Sequence, residues 1–152
     1  MKMTYDEALM RYSLLSNLLY KDGDDNLNKE LKIKLIKMKI EFSKINKEFE
    51  DYQNQCIEEV RTEEFDNLQN KQDRTEEENK RLNEIITGLN NDLNQLLFEK
   101  SRETVEVKFD YLTEEEFDEI LIVNANNENV TINGNKIDSG NFLDLFHTLF
   151  IR

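Results

Sequence analysis

The stretch LKIKLIKMKIEFSKINKEFEDYQNQC, residues 31–56, decides the fold. Within it Leu31, Leu35, Met38, Phe42, Ile45, Phe49, Tyr52 and Cys56 recur at alternating intervals of 4 and 3 residues. An α-helix completes a turn every 3.6 residues, so this spacing gathers all eight side chains on one seam. At 1.5 Å rise per residue the seam is roughly 38 Å long. A heptad seam sustained over more than three repeats requires an apolar partner.

That partner is expected downstream. Thr75 followed by Glu78 is a capping box, in which each side chain satisfies the other's otherwise unpaired backbone N–H. Beyond it Leu82, Ile86, Leu89, Leu93 and Leu96 repeat the 4, 3, 4, 3 spacing. The two seams predict a long antiparallel, coiled-coil-like helical hairpin whose tip falls between residues 58 and 74. No Gly or Pro marks a tight turn from Arg61 to Arg74. Helix is therefore expected to run on to about Asn70, with Phe65 and Leu68 either a minor packing cap at the tip or a tip that touches a partner.

Upstream, Thr4 and Glu7 form another capping box. Tyr5, Ala8, Leu9, Tyr12, Leu15, Leu18 and Leu19 then make one apolar stripe. Gly23, among Asp22, Asp24, Asp25 and Asn26, suits a turn that folds this first helix back on the second. After Lys100 the period drops to 2. Val105, Val107, Phe109 and Tyr111 alternate with charged residues, as in a half-buried strand. Thr113 with Glu116 caps a short helical turn through Phe117, Ile120 and Leu121. Asn133-Gly134 inside Val130–Ile137 signals a two-residue hairpin turn. Ser139 or Asn141 is expected to cap a final helix. The fold class is α+β, mostly α: residues 1–100 a helical hairpin region, residues 101–152 a small strand, hairpin and helix subdomain.

Composition agrees with this scaffold and excludes others. The 152 residues carry 20 basic and 33 acidic side chains, a formal charge of −13. Apolar residues make up 38% and charged ones 35%, against typical values of roughly 45–50% and 25%. Long solvated helices fit better than a large core. The net charge argues against general nucleic-acid binding, which uses a basic surface. The first residues hold no apolar run, so no secretory leader is expected. No apolar stretch approaches the roughly 18 residues of a membrane span. A single Cys makes no intrachain bridge, which suits a reducing compartment.

Little in the sequence points to chemistry. Asp22, Asp24 and Asn26 begin like a calcium loop, but Leu27 and Ile33 stand where Gly and Glu are needed. Asn124, Asn126 and Glu128 fail in the same way at Asn129 and Asn135. His147 has no nucleophile beside it in sequence, and Cys56 lies on the apolar seam. Glu114, Glu115, Glu116, Asp118 and Glu119 read as a solvated face, with no His or Cys nearby to complete a metal site. No metal, cofactor or catalytic residue is assigned.

Two features suit protein contacts. Seven lysines lie between Leu27 and Phe49, and nine acids between Glu103 and Glu128. The bland reading is two solvated faces; the sharper one is complementary surfaces that order copies head to tail or dock other partners. The segment Asn141–Arg152 has seven large apolar residues in twelve, too many for one helix face. It either completes the C-terminal core or leaves Phe142, Leu145, Phe146, Leu149 and Phe150 as a partner-binding surface.

The order of these segments resembles a family of small tailed-bacteriophage proteins from the virion-assembly gene region. The likeness rests on Met3-Thr4-Tyr5-Asp6-Glu7-Ala8-Leu9 and on the Lys-rich helix Lys34-Leu35-Ile36-Lys37-Met38-Lys39-Ile40-Glu41-Phe42. It extends to Leu93-Asn94-Gln95-Leu96-Leu97 running into Glu103-Thr104-Val105-Glu106-Val107, and to the closing Leu143-Asp144-Leu145-Phe146-His147-Thr148-Leu149. The chain departs from the pattern at the extra hairpin Val130–Ile137 and lacks a Pro after the first helix. The resemblance implies a non-enzymatic structural or morphogenesis role in the virion or the bacterial host cytoplasm. Its implied partners are other phage structural proteins and further copies of itself, with no direct nucleic-acid or membrane contact. Two other classes fit the residues less fully: an acidic inhibitor of a host defence nuclease, opposed by the lysine-rich stretch, and a free-standing homo-oligomeric coiled coil.

Overall fold

The computed structural model describes residues 1–152 as six helices and six short strands. The fold is mostly α with small antiparallel strand pairs, the α+β class expected. The chain forms two units, one of Met1–Asn46 with Thr104–Arg152 and one of Lys47–Glu103. This corrects the division at residue 100. The first 46 residues pack with the C-terminal segment, because the first part of the seam meets C-terminal aromatic rings.

In the first unit β1 (Lys2–Thr4) pairs antiparallel with β4 (Thr104–Glu106), Met3 opposite Val105. The expected strand from Val105 to Tyr111 is therefore shorter, since β1 offers a three-residue ladder. The alternation persists as burial: Val107 is buried and Phe109 and Tyr111 are half-buried. Thr4 caps α1 (Tyr5–Ser16): its Oγ1 accepts from the Glu7 N–H at 3.2 Å, and the Glu7 carboxylate accepts from the Thr4 N–H at 2.8 Å. The turn after α1 is a small hairpin of β2 (Lys21–Asp22) and β3 (Asp25–Asn26), with Gly23 at φ +58°. A side chain there costs about 1–2 kcal/mol in backbone strain.

The helix α2 (Lys29–Val60) starts where Asn28 Oδ1 accepts from the Leu31 N–H at 2.8 Å. Leu31, Leu35, Met38, Phe42 and Ile45 are all buried in the first unit. Thr113 and Glu116 close a capping box on α5 (Glu114–Asn124), which is longer than the single turn expected. Asn133 (φ 51°) and Gly134 (φ 77°) form the predicted turn between β5 (Val130–Ile132) and β6 (Asn135–Ile137). The cap of α6 (Ser139–Phe150) is Asp138, not Ser139 or Asn141, its Oδ1 accepting from the Asn141 N–H at 2.7 Å.

Four phenylalanines with no exposed surface, Phe42, Phe142, Phe146 and Phe150, anchor the core. The Phe150 ring stacks on Phe146 at 4.5 Å and meets Phe42 and Phe109 edge-on at 6.3 and 5.8 Å. Each such side chain contributes about 1.5–3 kcal/mol on burial. The Leu112 N–H donates to the Phe150 carbonyl at 2.8 Å, and the Arg152 N–H to the Leu112 carbonyl at 3.2 Å.

The second unit holds the end of α2, α3 (Glu63–Asn70) and α4 (Glu76–Ser101). The expected continuous helix to Asn70 is broken at Arg61-Thr62. Thr62 is extended (φ −112°, ψ 158°) and its hydroxyl caps α3 by accepting from the Phe65 N–H. The second reversal lacks glycine because Arg74 supplies the missing donors. Its Nη1 reaches the carbonyls of Leu68, Gln69 and Lys71 at 3.1–3.3 Å. Thr75 and Glu78 then form the predicted capping box of α4.

Candidate protein-contact surfaces

The seam residues separate into two groups. Leu31 to Ile45 lie in the first unit; Phe49, Tyr52 and Cys56 lie in the second, with Leu82, Ile86, Leu89, Leu93 and Leu96. The expected pairing of the two seams is therefore confined to the Phe49–Cys56 part of the first. Only the end of α2 is available to α4 in the second unit. The Lys100 ammonium sits 5.0 Å from the Tyr52 ring centre, while Ile57 and Val60 share a groove with Leu89 and Leu93, so the two helices run antiparallel. The first half of α4 packs on α3, where Arg81 grips both carboxylate oxygens of Glu64 at 2.8 and 3.1 Å.

An apolar groove of about 330 Å³ lies among these three helices, lined chiefly by Ile57, Val60, Phe65, Ile86, Leu89 and Leu93. The Arg61 guanidinium lies 5.8 Å from the Phe65 ring centre, at the groove's edge. Only Cys56 and Leu82 in this unit are fully covered apolar side chains, whereas Ile57, Ile86 and Phe98 are exposed. Phe65 and Leu68 are half-buried.

Ion pairs stiffen the turn. The Arg81 hydrogen bonds hold the Glu64 carboxyl below its ordinary pKa and raise that of Arg81 itself. Lys71, 2.6 Å from Glu78, and the Thr75 backbone do the same to Glu78. Cys56 is buried and unbridged, and its hydrogen bond raises the pKa of the Tyr52 hydroxyl.

In the first unit, the structure places the terminal-helix candidates unequally. Phe142, Phe146 and Phe150 are committed to the core, the first of the two readings, and are not available as partner-binding candidates. Leu145 is exposed and Leu149 half-buried. A helix this apolar is explained because α1, α5 and the Leu112 segment cover different sides of it. His147 Nε2 lies 3.0 and 3.1 Å from the two Glu114 oxygens, and its ring meets Phe117 edge-on at 4.8 Å.

The lysine-rich and acidic stretches meet within the chain. Lys34 donates to both oxygens of Glu116 at 2.9 and 3.0 Å, and Asn28 donates to Glu119 at 2.6 Å. Both contacts use the side of α5 turned toward the unit. Glu115 and Asp118 remain exposed on its other side.

Two polar features were not read from the sequence. Asn124 is completely buried: its amide donates to the Leu19 carbonyl at 3.0 Å and its Oδ1 accepts from the Leu19 N–H at 2.8 Å. Asn127 donates to the Asn17 carbonyl at 2.8 Å, and Asn17 donates to the Thr131 carbonyl at 3.1 Å. Their clustering of Asn in an Asn-rich loop looks like turn composition, and only the fold shows which ones go inside. Arg11 is a polar residue of the first helix, three positions after Ala8 on its apolar side. It is buried, donates to the Glu7 carbonyl at 3.3 Å, lies 5.9 Å from the Phe109 ring centre, and leaves Nε without a partner. Desolvation lowers its pKa.

No group of three or more His, Cys, Asp and Glu side chains is arranged to hold a metal ion. No helix is long and apolar enough to cross a membrane. In comparisons with protein-family models, curated proteins and solved structures, nothing matches the chain.

Proposed function

We propose that this chain is a non-enzymatic bacteriophage structural or morphogenesis protein that acts by protein–protein contacts during virion assembly. The observation that carries the reading is the second unit, where three amphipathic helices leave Ile57 and Ile86 exposed around an apolar groove. Exposed apolar surface of this kind marks contact sites. The segment order from Met3-Thr4-Tyr5 to Leu143-Asp144-Leu145 supports the phage assignment by resemblance. Portal, tail or capsid subunits are its partners, and it resides in the virion or in the host cytoplasm during assembly. It needs no cofactor and makes no direct contact with nucleic acid or membrane.

The test is mass spectrometry of purified particles of the phage that encodes the chain, with chemical crosslinking to locate neighbours. Recovery at a fixed ratio to portal or tail subunits, with crosslinks from the second unit's exposed lysines Lys71 or Lys80, is the expected result. Absence from particles, together with failure to bind any capsid, portal or tail protein, rules the reading out.

A further inference from the structure

The side of α2 opposite its buried seam carries a second apolar row. Ile33, Ile36 and Ile40 follow at intervals of 3 and 4 residues and are 43–50% exposed. Seven residue steps at 1.5 Å make this row about 10 Å long. Lys29, Lys32 and Lys37 flank it, each at least partly exposed. The row is apolar with a basic border.

The outward side of α5 has the opposite chemistry. Leu121 and Ile122 are 41% and 58% exposed. Glu115 and Asp118 stand beside them, and α5 contains no basic residue at all. This patch is about as long as the isoleucine row, seven steps from Glu115 to Ile122.

We propose that the basic isoleucine row of α2 is the docking site for the acidic outer face of α5 on a second copy of the chain. Charge complementarity selects this occupant: the row against its own equivalent would set lysines against lysines, which costs association energy. Within one copy the two faces do not meet, because Lys34–Glu116 and Asn28–Glu119 already dock the other side of α5. Each copy thus presents one donor face and one acceptor face. Such a contact is heterologous, and its rotation closes a ring or extends a filament. Two short helix faces bury less than a standard interface, so the association is weak, concentration-dependent and salt-sensitive. This deepens the contact-making role proposed above: a chain found in particles yet monomeric in solution leaves that role standing and sinks this one.

The experiment is analytical ultracentrifugation of the full chain over a concentration series, at about 0.05 M and about 0.5 M salt, between which the screening length shrinks roughly threefold. Two charge-reversed variants are compared, K29E/K32E/K37E and E115K/D118K, with helical circular dichroism checked for each. The expected result is wild-type mass that grows with concentration at low salt and falls back at high salt. Each variant alone stays at monomer mass. An equimolar mixture of the two assembles, because every junction between unlike variants is again complementary. A wild-type monomer throughout the low-salt series overturns the proposal. So do variants that assemble alone as well as wild type, and folded variants whose mixture stays monomeric.

Discussion

The buried side chain of Asn124 on α5 forms two hydrogen bonds with the backbone of Leu19, one to its N–H and one to its carbonyl. One amide thus replaces a strand partner for a connection that has none. A third bond, to the Ile120 carbonyl at 3.0 Å, ties the same group to its own helix. Asn124→Leu keeps the volume but strands the Leu19 groups. A loss of about 2–3 kcal/mol is expected from the orphaned polar groups. Urea denaturation followed by circular dichroism checks it, and a midpoint equal to wild type refutes it.

Arg11 predicts a change in the opposite direction. Its Nε is buried without an acceptor, and burying a cation without full pairing costs stability. Arg11→Met retains the packing against Phe109 and removes the charge. Unfolding stability is expected to stay equal or to rise by about 1–3 kcal/mol. A marked drop in the thermal midpoint shows instead that the guanidinium bonds to Glu7 and Met3 outweigh its desolvation.

The two sides of α6 separate folding from contact. Phe146→Ala opens a cavity among Phe117, Phe142 and Phe150 and is expected to cost about 3–5 kcal/mol. Leu145→Lys, on the exposed side, is expected to change stability by no more than about 0.5 kcal/mol. Paired chemical denaturation curves test both. Equal losses would place Leu145 in the core.

The helical turn of the second unit should loosen in acid. Glu64 and Glu78 have carboxyl pKa values held below the ordinary 4.5 by Arg81, and by Lys71 with the Thr75 backbone. A depressed carboxyl contributes stability that is complete above its unfolded pKa and lost as pH falls through its folded one. Protection of the amides in α3 and the first turns of α4, corrected for the intrinsic pH dependence of exchange, is therefore expected to fall below about pH 4.5. Double replacement, Arg81→Gln with Lys71→Gln, should flatten that dependence, and added salt should weaken it, since both pairs are solvent-exposed. An unchanged pH profile in the double variant removes the assignment.

Local chemistry was legible at the capping boxes and at the hairpin turn, though not at the Asp138 and Thr62 caps. The capping boxes at Thr4, Thr75 and Thr113 and the Asn133-Gly134 turn need only neighbours within four residues, and each forms as read. The seam from Leu31 to Cys56 was legible as a helix but not as to what covers it. Heptad spacing states that an apolar partner exists, and Phe109 and Phe150 satisfy Phe42 as well as another helix would. The pairing of Lys2–Thr4 with Thr104–Glu106 joins segments about a hundred residues apart, beyond the reach of any period. Arg74 shows why the tip was unreadable: a long side chain took the role that Gly or Pro usually marks. For the contact surfaces, the lysine and acid runs were visible, but only the fold shows that Lys34 and Glu116 neutralise each other while Ile33, Ile36 and Ile40 face outward.

The interrupted course of the first unit has a kinetic consequence. Residues 1–46 cannot complete their core until residues 104–152 arrive, across an intervening stretch of 57 residues. Closing so long a loop as flexible chain costs entropy that grows with the logarithm of its length. The intervening stretch is built from local helix contacts, which form faster than distant ones. Once it has folded, most of that loop is no longer free to wander. The folded second unit is then expected to shorten the loop that the first unit has to close. Refolding of the aromatic core should slow when α3 and α4 are destabilised, even by substitutions such as Leu82→Ala that touch none of its rings.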